Sequence, residues 1–138
     1  MNPENQKLTS ILAEAENIAV VGLSDDPSRT SHRIAAYMQE AGYRVIPINP
    51  RIESALGEKA YSSLGEVTDR VDIVNVFRRS EEIPALADEA IERRPRAFWM
   101  QKGISNPASA RRLEDAGITT IQDLCIKTAH RELTQTPR

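Results

Sequence analysis

The residues whose types and spacing are best suited to bind a ligand begin in a polar loop at residues 22–31. The loop reads Gly-Leu-Ser-Asp-Asp-Pro-Ser-Arg-Thr-Ser, so it offers backbone N–H groups, hydroxyls and a cation. A helix is predicted to follow, and the first N–H groups of a helix attract anions because they have no partners within it. This loop is therefore expected to bind a phosphate. Its predicted ligand-binding residues are Gly22, Ser24, Ser28, Arg29, Thr30 and Ser31.

Cations crowd the predicted start of this helix. Arg29, His32 and Arg33 lie where the helix dipole ordinarily favours Asp or Glu. An incoming anion would explain these cations, with Arg29 pairing directly with a phosphate. The alternative is that Ser28 or Thr30 merely caps the helix and that Arg29 is solvated.

Two departures from a dinucleotide fingerprint indicate the type of nucleotide. Ser24 and Pro27 stand where the second and third glycines would be, so the tight pyrophosphate turn is incomplete. The next predicted strand ends in Asn49-Pro50-Arg51, without the Asp or Glu that holds a ribose 2′-hydroxyl. An arginine there suits a ribose that carries a phosphate. Plain NAD is thereby disfavoured, whereas NADP and the 3′-phospho-ADP of coenzyme A remain open.

Two further strand ends carry residues of the predicted site. The run Phe77-Arg78-Arg79 suits adenine and its phosphates, because the aromatic ring can stack and an arginine can pair with phosphate. The alternative places Phe77 in the core and both arginines in solvent. Gln101 and Lys102 precede Gly103, a residue that lets backbone approach a ligand, so Gln101 is predicted to receive the pantetheine arm.

Signatures of catalysis and of metal binding are missing. The sequence has no Gly-x-x-x-x-Gly-Lys-Ser/Thr loop, no Gly-x-Ser-x-Gly elbow and no His/Cys cluster at metal spacing. His32 is assigned to anion binding and His130 to a solvated helix face. Cys125 is predicted to be a small buried hydrophobe, with thiol exchange with a bound coenzyme as the alternative. Trp99 is predicted to lie in the core or to anchor an interface.

Length and composition set limits on the function. A chain of 138 residues is expected to form a single domain over residues 1–138. A net charge of −2 gives no general attraction to nucleic acid or to anionic membranes, so an anion site must be local. The single cysteine and the lack of a signal peptide predict a cytoplasmic protein, and no apolar run approaches the roughly 20 residues that span a bilayer.

The elements that position these residues form an alternating pattern. Short apolar segments at 18–21, 44–48, 71–76, 97–100 and 118–121 are predicted to be strands, and amphipathic segments between them are predicted to be helices. This pattern is typical of an α/β fold, a Rossmann-like, doubly wound parallel five-stranded sheet of order 3-2-1-4-5 with helices on both faces. Outer helices are expected at the N-terminus and at 124–133, and 51–69 is expected to be mostly irregular, with a short helix near 63–67. The ligand is expected where the winding reverses, at the carboxyl ends of the strands.

Five sequence blocks resemble one family, the small stand-alone CoA-binding domain proteins, which are similar to the CoA-binding domain of the succinyl-CoA synthetase α subunit. The blocks are Ile-Ala-Val-Val-Gly-Leu-Ser at 18–24, Gly-Tyr-Arg-Val-Ile-Pro-Ile-Asn-Pro at 42–50, Val-Asp-Ile-Val-Asn-Val-Phe-Arg-Arg at 71–79, Trp-Met-Gln-Lys-Gly at 99–103 and Asp-Leu-Cys-Ile at 123–126. The resemblance implies a coenzyme A site. Its residues here would be Gly22, Ser24, Pro27, Arg29, Asn49, Pro50, Phe77 and Arg78.

The expected function is that of a non-catalytic module which binds coenzyme A or an acyl-CoA through its 3′-phospho-ADP moiety. The ligase's phosphorylated histidine lies in a further domain that the resemblance does not cover, so ligase activity is not expected of this chain alone. The chain is expected to associate either with further copies of itself, as a homo-oligomer, or with a partner enzyme subunit. Two alternatives stay open: a small NADP-dependent oxidoreductase, and a homo-oligomeric interaction protein with a vestigial nucleotide crevice.

Overall fold

The computed structural model describes residues 2–134, which form a parallel sheet between two layers of helices. The strands are β1 (Asn17–Val21), β2 (Arg44–Ile48), β3 (Ser54–Ala55), β4 (Glu58–Lys59), β5 (Ile73–Val76), β6 (Ala97–Met100) and β7 (Thr119–Ile121). The helices are α1 (Pro3–Glu14), α2 (Thr30–Glu40), α3 (Ile83–Arg93), α4 (Pro107–Asp115) and α5 (Ile126–Thr134). Short 3₁₀ turns lie at Leu64–Glu66 and Ser80–Glu82. No helix within residues 2–134 is long and apolar enough to cross a membrane.

The main sheet has the order β2-β1-β5-β6-β7, and all of its strands are parallel. This confirms the predicted Rossmann-like sheet and matches the 3-2-1-4-5 pattern. The position outside β2 is occupied by a single parallel bridge between Ile48 and Tyr61, and β5 lies directly beside β1. The winding therefore reverses between β1 and β5, so their carboxyl ends border one crevice.

Alternate side chains of each strand pack on opposite faces of the sheet, as β6 illustrates. Trp99 packs with α1, α2 and α5 in one core cluster, whereas Phe98 and Met100 pack with α3 and α4 in the other. Trp99 is fully buried, and its indole N–H donates to the carbonyl of Leu124 at 2.8 Å. Of the two roles predicted for Trp99, the structure supports the core, so Trp99 cannot anchor an interface.

Local signals in the sequence explain where most helices begin and end. The side chain of Asn106 caps α4 by accepting from the N–H of Ser109 at 3.0 Å. Gly42 follows α2 with a φ of +111°, a left-handed conformation that suits glycine at the end of a helix. Helix α3 starts at Ile83, beside Pro84, because the preceding residues Ser80–Glu82 form a 3₁₀ turn.

The connection between β2 and β5 is more ordered than the irregular segment that was predicted. The expected short helix is the 3₁₀ turn Leu64–Glu66, held by a capping box between Ser63 and Glu66. The small antiparallel pair β3–β4 was not predicted. After it, the Tyr61 N–H donates to Pro47 and the Tyr61 carbonyl accepts from Asn49, which fixes the chain against the edge of β2.

His130 corrects one prediction. It was expected on a solvated helix face, but only 8% of the residue is exposed. Its Nδ1 lies 2.9 Å from the hydroxyl of Tyr37, and its ring meets the rings of Tyr37 and Tyr43 edge-on. The side chain therefore joins α5 to α2, and burial lowers the pKa of His130 below its ordinary value.

Candidate phosphate-binding crevice

The base of the crevice is made of backbone. One residue beyond the strands, the Gly22 N–H donates to the Ile48 carbonyl and the Phe77 N–H donates to the Val21 carbonyl, both at 2.8 Å. Gly22 has a φ of +90°, and a Cβ atom at this position would lie 2.9 Å from the Phe77 carbonyl oxygen. Gly22 is therefore required by the close approach of two loops as well as by its φ.

The loop at 22–31 is held by its own hydroxyls. Ser31 Oγ accepts from the Ser24 N–H and Ser24 Oγ accepts from the Asp26 N–H, both at 3.0 Å. Ser28 differs, because its hydroxyl donates to Asp26 Oδ1 at 2.8 Å. A hydroxyl that accepts still has its proton to donate, whereas one that donates to a carboxylate does not. Ser24 and Ser31 can therefore donate to an anion while the loop keeps this shape, and Ser28 cannot.

Asp26 organises the far side of this loop. Its carboxylate accepts from both the N–H and the hydroxyl of Ser28. These two hydrogen bonds, together with the nearby charges of Arg29 and His32, lower the pKa of Asp26 below its ordinary value. Asp26 is fully exposed, so it shapes the loop without contributing to the core.

Helix α2 begins without a side-chain cap. Its N-cap residue is Arg29, and its first turn contains no acidic residue. Within the described chain, the N–H groups of Thr30, Ser31 and His32 have no hydrogen-bond partner. Arg33 donates to the Ser28 carbonyl at 3.0 Å and so holds the loop against the helix. This N-terminus is open to an anion.

Asn49 connects the loop to the end of β2. Its side-chain N–H group donates to the Leu23 carbonyl, and its Oδ1 accepts from the Arg51 N–H, both at 2.9 Å. Each end of the amide therefore makes one hydrogen bond within the protein. Asn49 positions the loop and Arg51, and the sequence predicted it only as a ligand-binding residue.

Three arginines at the crevice have unpaired side chains. The guanidinium groups of Arg29, Arg51 and Arg78 form no ion pair or hydrogen bond with any residue of 2–134. Arg79 differs, because it lies 3.8 Å from a carboxylate oxygen of Glu82. Arg51, Arg78 and Phe77 line one cavity of about 330 Å³. Unpaired cations around a shared cavity are suited to binding a polyanion.

Most of the predicted site residues lie together. A cavity of about 650 Å³ joins the loop to the ends of β2 and β5, and among its lining residues are Gly22, Ser24, Ser28, Arg29, Thr30, Ser31, Asn49, Arg51 and Phe77. Arg78 lines the adjoining 330 Å³ cavity, together with Gly22 and Asn49. Pro27 is exposed and lines neither cavity. Phe77 lines both cavities, as do Gly22, Asn49 and Arg51.

Gln101 lies apart from this group. Only 5% of the residue is exposed, and its Oε1 accepts from Asn75 at 3.2 Å and from the Ile126 N–H at 2.8 Å. Gln101 thereby ties β6 to β5 and to the start of α5. Its neighbour Gly103 does reach the crevice, because Gly103 and Ile104 line a groove of about 320 Å³ with Phe77 and Arg78.

Asn75 was missed by sequence reasoning. It is 1% exposed in the middle of β5, where it donates to the Trp99 carbonyl and to Gln101. A polar residue in an otherwise apolar strand was the available signal, because a buried amide needs partners.

The Cys125 thiol is half-buried beside Gln101. Burial raises the pKa of this thiol, but hydrogen bonds from Gln101, Thr128 and Lys127 outweigh that effect and lower it below its ordinary value. The prediction of a small buried hydrophobe is confirmed in part, because Cys125 packs against the core cluster but is only half-buried.

A fourth cavity was not predicted at all. It holds about 390 Å³ between helix α3 and the segment 62–64, beside the carboxyl ends of β1 and β2. Pro50 and Arg78 lie on its border, so Pro50 belongs to this cavity rather than to the loop cavity. Its other polar lining residues are Ser62, Ser63, Glu82 and Glu89. No local sequence pattern indicates this cavity, because 62–64 and α3 are separate segments of the chain.

Comparison with known proteins places this crevice in context. A family model described as "CoA binding domain" matches residues 16–131. The uncharacterized protein YneT of Bacillus subtilis (strain 168) is 51% identical over 129 residues, which cover 94% of this chain and 96% of YneT. The structure titled "cell-free ID.343 from Thermus thermophilus" superimposes with a TM-score of 0.91 at 38% identity and covers 96% of this chain and 99% of that one.

Larger proteins contain a similar region. The α subunit of an ADP-forming acetate–CoA ligase II from Pyrococcus furiosus is 39% identical over 57 residues, which cover 41% of this chain and 12% of the ligase subunit. The match therefore covers less than half of this chain and a small part of that ligase subunit.

Proposed function

The chain belongs to the CoA-binding domain family, and on this premise we propose that it binds coenzyme A or an acyl-CoA through the 3′-phospho-ADP moiety, as a module with no catalysis of its own. The observation that carries this proposal is the unpaired positive charge around one crevice. The α2 N-terminus and the side chains of Arg51 and Arg78 all lack partners within residues 2–134.

The local charge of the crevice is opposite in sign to that of the whole chain. The net charge of the chain is −2, so a generally basic surface does not explain why the guanidinium groups of Arg51 and Arg78 lack partners. Leaving cations unpaired next to a helix N-terminus is unfavourable unless an anion neutralises them. A ligand with several phosphates supplies that neutralisation.

The three phosphates of coenzyme A can be matched to two parts of the crevice. The diphosphate suits the α2 N-terminus, where the N–H groups and the hydroxyls of Ser24 and Ser31 can donate. The 3′-phosphate suits Arg51, which follows β2 where a ribose is expected, with Arg78 across the same cavity. The pantetheine arm would then extend along the groove lined by Gly103 and Ile104.

The sharpest test removes the 3′-phosphate from the ligand and its partner from the protein. In calorimetry, dephospho-coenzyme A is expected to bind about tenfold or more weakly than coenzyme A, because it lacks charge-assisted hydrogen bonds. Arg51→Gln should weaken the binding of coenzyme A by a similar factor, so that the affinities for coenzyme A and dephospho-coenzyme A become nearly equal. Arg29→Ala should weaken both ligands together, because Arg29 lies at the diphosphate end.

Arg111→Gln serves as the matched control, because Arg111 is exposed on α4 and lines none of these cavities. Equal affinity of wild type and both variants for the two ligands would contradict the proposal. Tighter binding of NADPH than of coenzyme A would favour the oxidoreductase alternative instead. Native mass spectrometry of the purified protein would report the bound ligand and the subunit count together.

A further inference from the structure

A cleft between α1 and α5 lies apart from the proposed coenzyme A site. It holds about 410 Å³, and among its lining residues are Leu12, Ala13, Tyr43, His130, Leu133 and Thr134. None of these residues lines a cavity of the crevice. Tyr43 precedes the first residue of β2, whereas the crevice lies beyond the last residue of that strand. The α1–α5 cleft is therefore a separate cavity.

The imidazole of His130 is the polar group that this cleft offers to a ligand. Only 8% of the residue is exposed, and Nδ1 lies 2.9 Å from the Tyr37 hydroxyl. The other ring nitrogen, Nε2, has no hydrogen-bond partner within residues 2–134. Polar atoms of nearly buried side chains usually make a hydrogen bond. A ligand in the cleft would supply the bond that Nε2 lacks.

The hydroxyl groups beside His130 favour a ligand that can donate. Thr134 donates to the His130 carbonyl at 2.6 Å, and Tyr43 donates to the Leu12 carbonyl. Each hydroxyl has only one proton, so both oxygens are left as acceptors. A carbonyl or ether oxygen, which can only accept, is therefore less suited to this cleft than a group that carries a proton.

The charge of the lining favours an uncharged ligand. In the described part of the chain, no Asp, Glu, Lys or Arg lines the cleft. Burial lowers the pKa of His130, so its imidazole is neutral at about pH 7. A carboxylate or an ammonium group would lose water there without gaining an opposite charge. Among uncharged groups, a hydroxyl both donates and accepts, so it can bond to Nε2 in either tautomer.

The other walls of the cleft suit an apolar body. They include the side chains of Leu12, Ala13 and Leu133. An apolar cavity of about 150 Å³ is enough to hold benzene. The 410 Å³ of this cleft therefore leaves room for a substituted ring.

We propose that the α1–α5 cleft is a second ligand site, which binds a small uncharged molecule with an apolar body and a hydroxyl group hydrogen-bonded to His130 Nε2. The site uses no residue of the crevice, so it does not depend on the proposed coenzyme A function.

The role of His130 is tested with a matched pair of probes, para-fluorophenol and para-fluorotoluene, which differ by a hydroxyl in place of a methyl group. In fluorine NMR titrations of the full chain, the phenol is expected to bind about fivefold or more tightly than the toluene, because it gains a hydrogen bond. His130→Phe keeps a ring but has no nitrogen, so it should bind both probes equally. An equal affinity of wild type for the two probes, or an unchanged preference in a folded His130→Phe variant, would overturn the proposal.

The position of the ligand is tested by filling the cleft, which does not rely on a substitution at His130. Ala13 is exposed on α1, so Ala13→Trp should fold while it obstructs the cleft, and the affinity for para-fluorophenol should fall about tenfold or more. Ala85→Trp is the matched control, because Ala85 is exposed on α3 and lines the separate cavity beside that helix. Thermal melts verify that all variants fold. An affinity that falls in Ala85→Trp but not in Ala13→Trp would place the probe beside α3, and the α1–α5 site would be wrong.

Discussion

At the scale of single residues, the crevice depends on groups whose importance lies in geometry more than in chemistry. Gly22 was recognised in the sequence as the first glycine of a dinucleotide-like loop. The structure adds a second requirement, since the Phe77 carbonyl lies where a Cβ atom would approach to 2.9 Å. This contact joins loops more than fifty positions apart, so no local pattern could have indicated it.

Gly22→Ala should be strongly destabilising. A positive φ in a residue with a side chain costs about 1–3 kcal/mol, and the clash with the Phe77 backbone adds to that cost. Urea denaturation of wild type and variant measures the loss. Gly117→Ala is the matched control, because Gly117 has a φ of +87° but open space around it. A loss in Gly22→Ala no greater than that in Gly117→Ala would show that the close approach is unimportant.

The sequence predicted most of the residues that line the crevice, but not what each side chain does there. Ser24, Ser28 and Ser31 were indistinguishable in the sequence, yet the hydroxyl of Ser28 donates to Asp26 and the other two accept. Gln101 was predicted to meet the ligand because it ends a strand. Its buried hydrogen bonds to Asn75 and Ile126 depend on residues at least 25 positions away, which no spacing rule reveals.

At the scale of elements, the predicted strands and long helices agree closely with the structure. The predicted bounds of β2 and β6 are identical to those in the structure, because each strand is an apolar run between turn signals. The pair β3–β4 was missed because strands of two residues carry no periodicity. The cleft beside α3 could not be predicted either, since it exists only where two distant elements face each other.

The attachment of α5 to α2 should depend on pH. The pKa of His130 is lowered by burial, so the unfolded chain binds a proton more readily than the folded protein does. The stability that this neutral histidine contributes is present above about pH 6.5, the ordinary histidine pKa, and is lost as the pH falls towards the lowered value in the folded protein. Urea denaturation at pH 8 and pH 5.5 measures this loss.

His130→Phe should flatten the pH dependence between those two values, because it removes the titrating group and keeps an aromatic ring beside Tyr37 and Tyr43. His32→Gln is the control that leaves the His130 contribution in place. If His130→Phe retains the full pH dependence of wild type, another group is responsible.

At the scale of the whole molecule, a net negative protein is proposed to bind a highly negative ligand. Attraction must then come from a few local cations, and local charge pairs at an exposed crevice are screened by salt. The position of these cations at the winding reversal follows from the order of the strands. The fold therefore determines the place of the site, and the side chains around it determine the ligand.

Coenzyme A affinity should fall steadily as sodium chloride is raised from about 50 to 500 mM, because screening increases over that range. Arg51→Gln should show a shallower dependence, since one charge pair is already gone. Arg111→Gln should follow wild type. Calorimetry at several salt concentrations provides the measurement, and an affinity unaffected by salt would mean that apolar contacts dominate binding.

The main-chain hydrogen bonds at the base of the crevice affect how the sequences of related proteins can diverge. The bonds from Gly22 to Ile48 and from Phe77 to Val21 involve only main-chain atoms, so apart from the glycine itself they place little demand on side-chain identity. Substitutions around them can alter the walls while the depth and spacing of the base persist. A change of ligand would then require new wall residues but no rebuilding of the sheet beneath them.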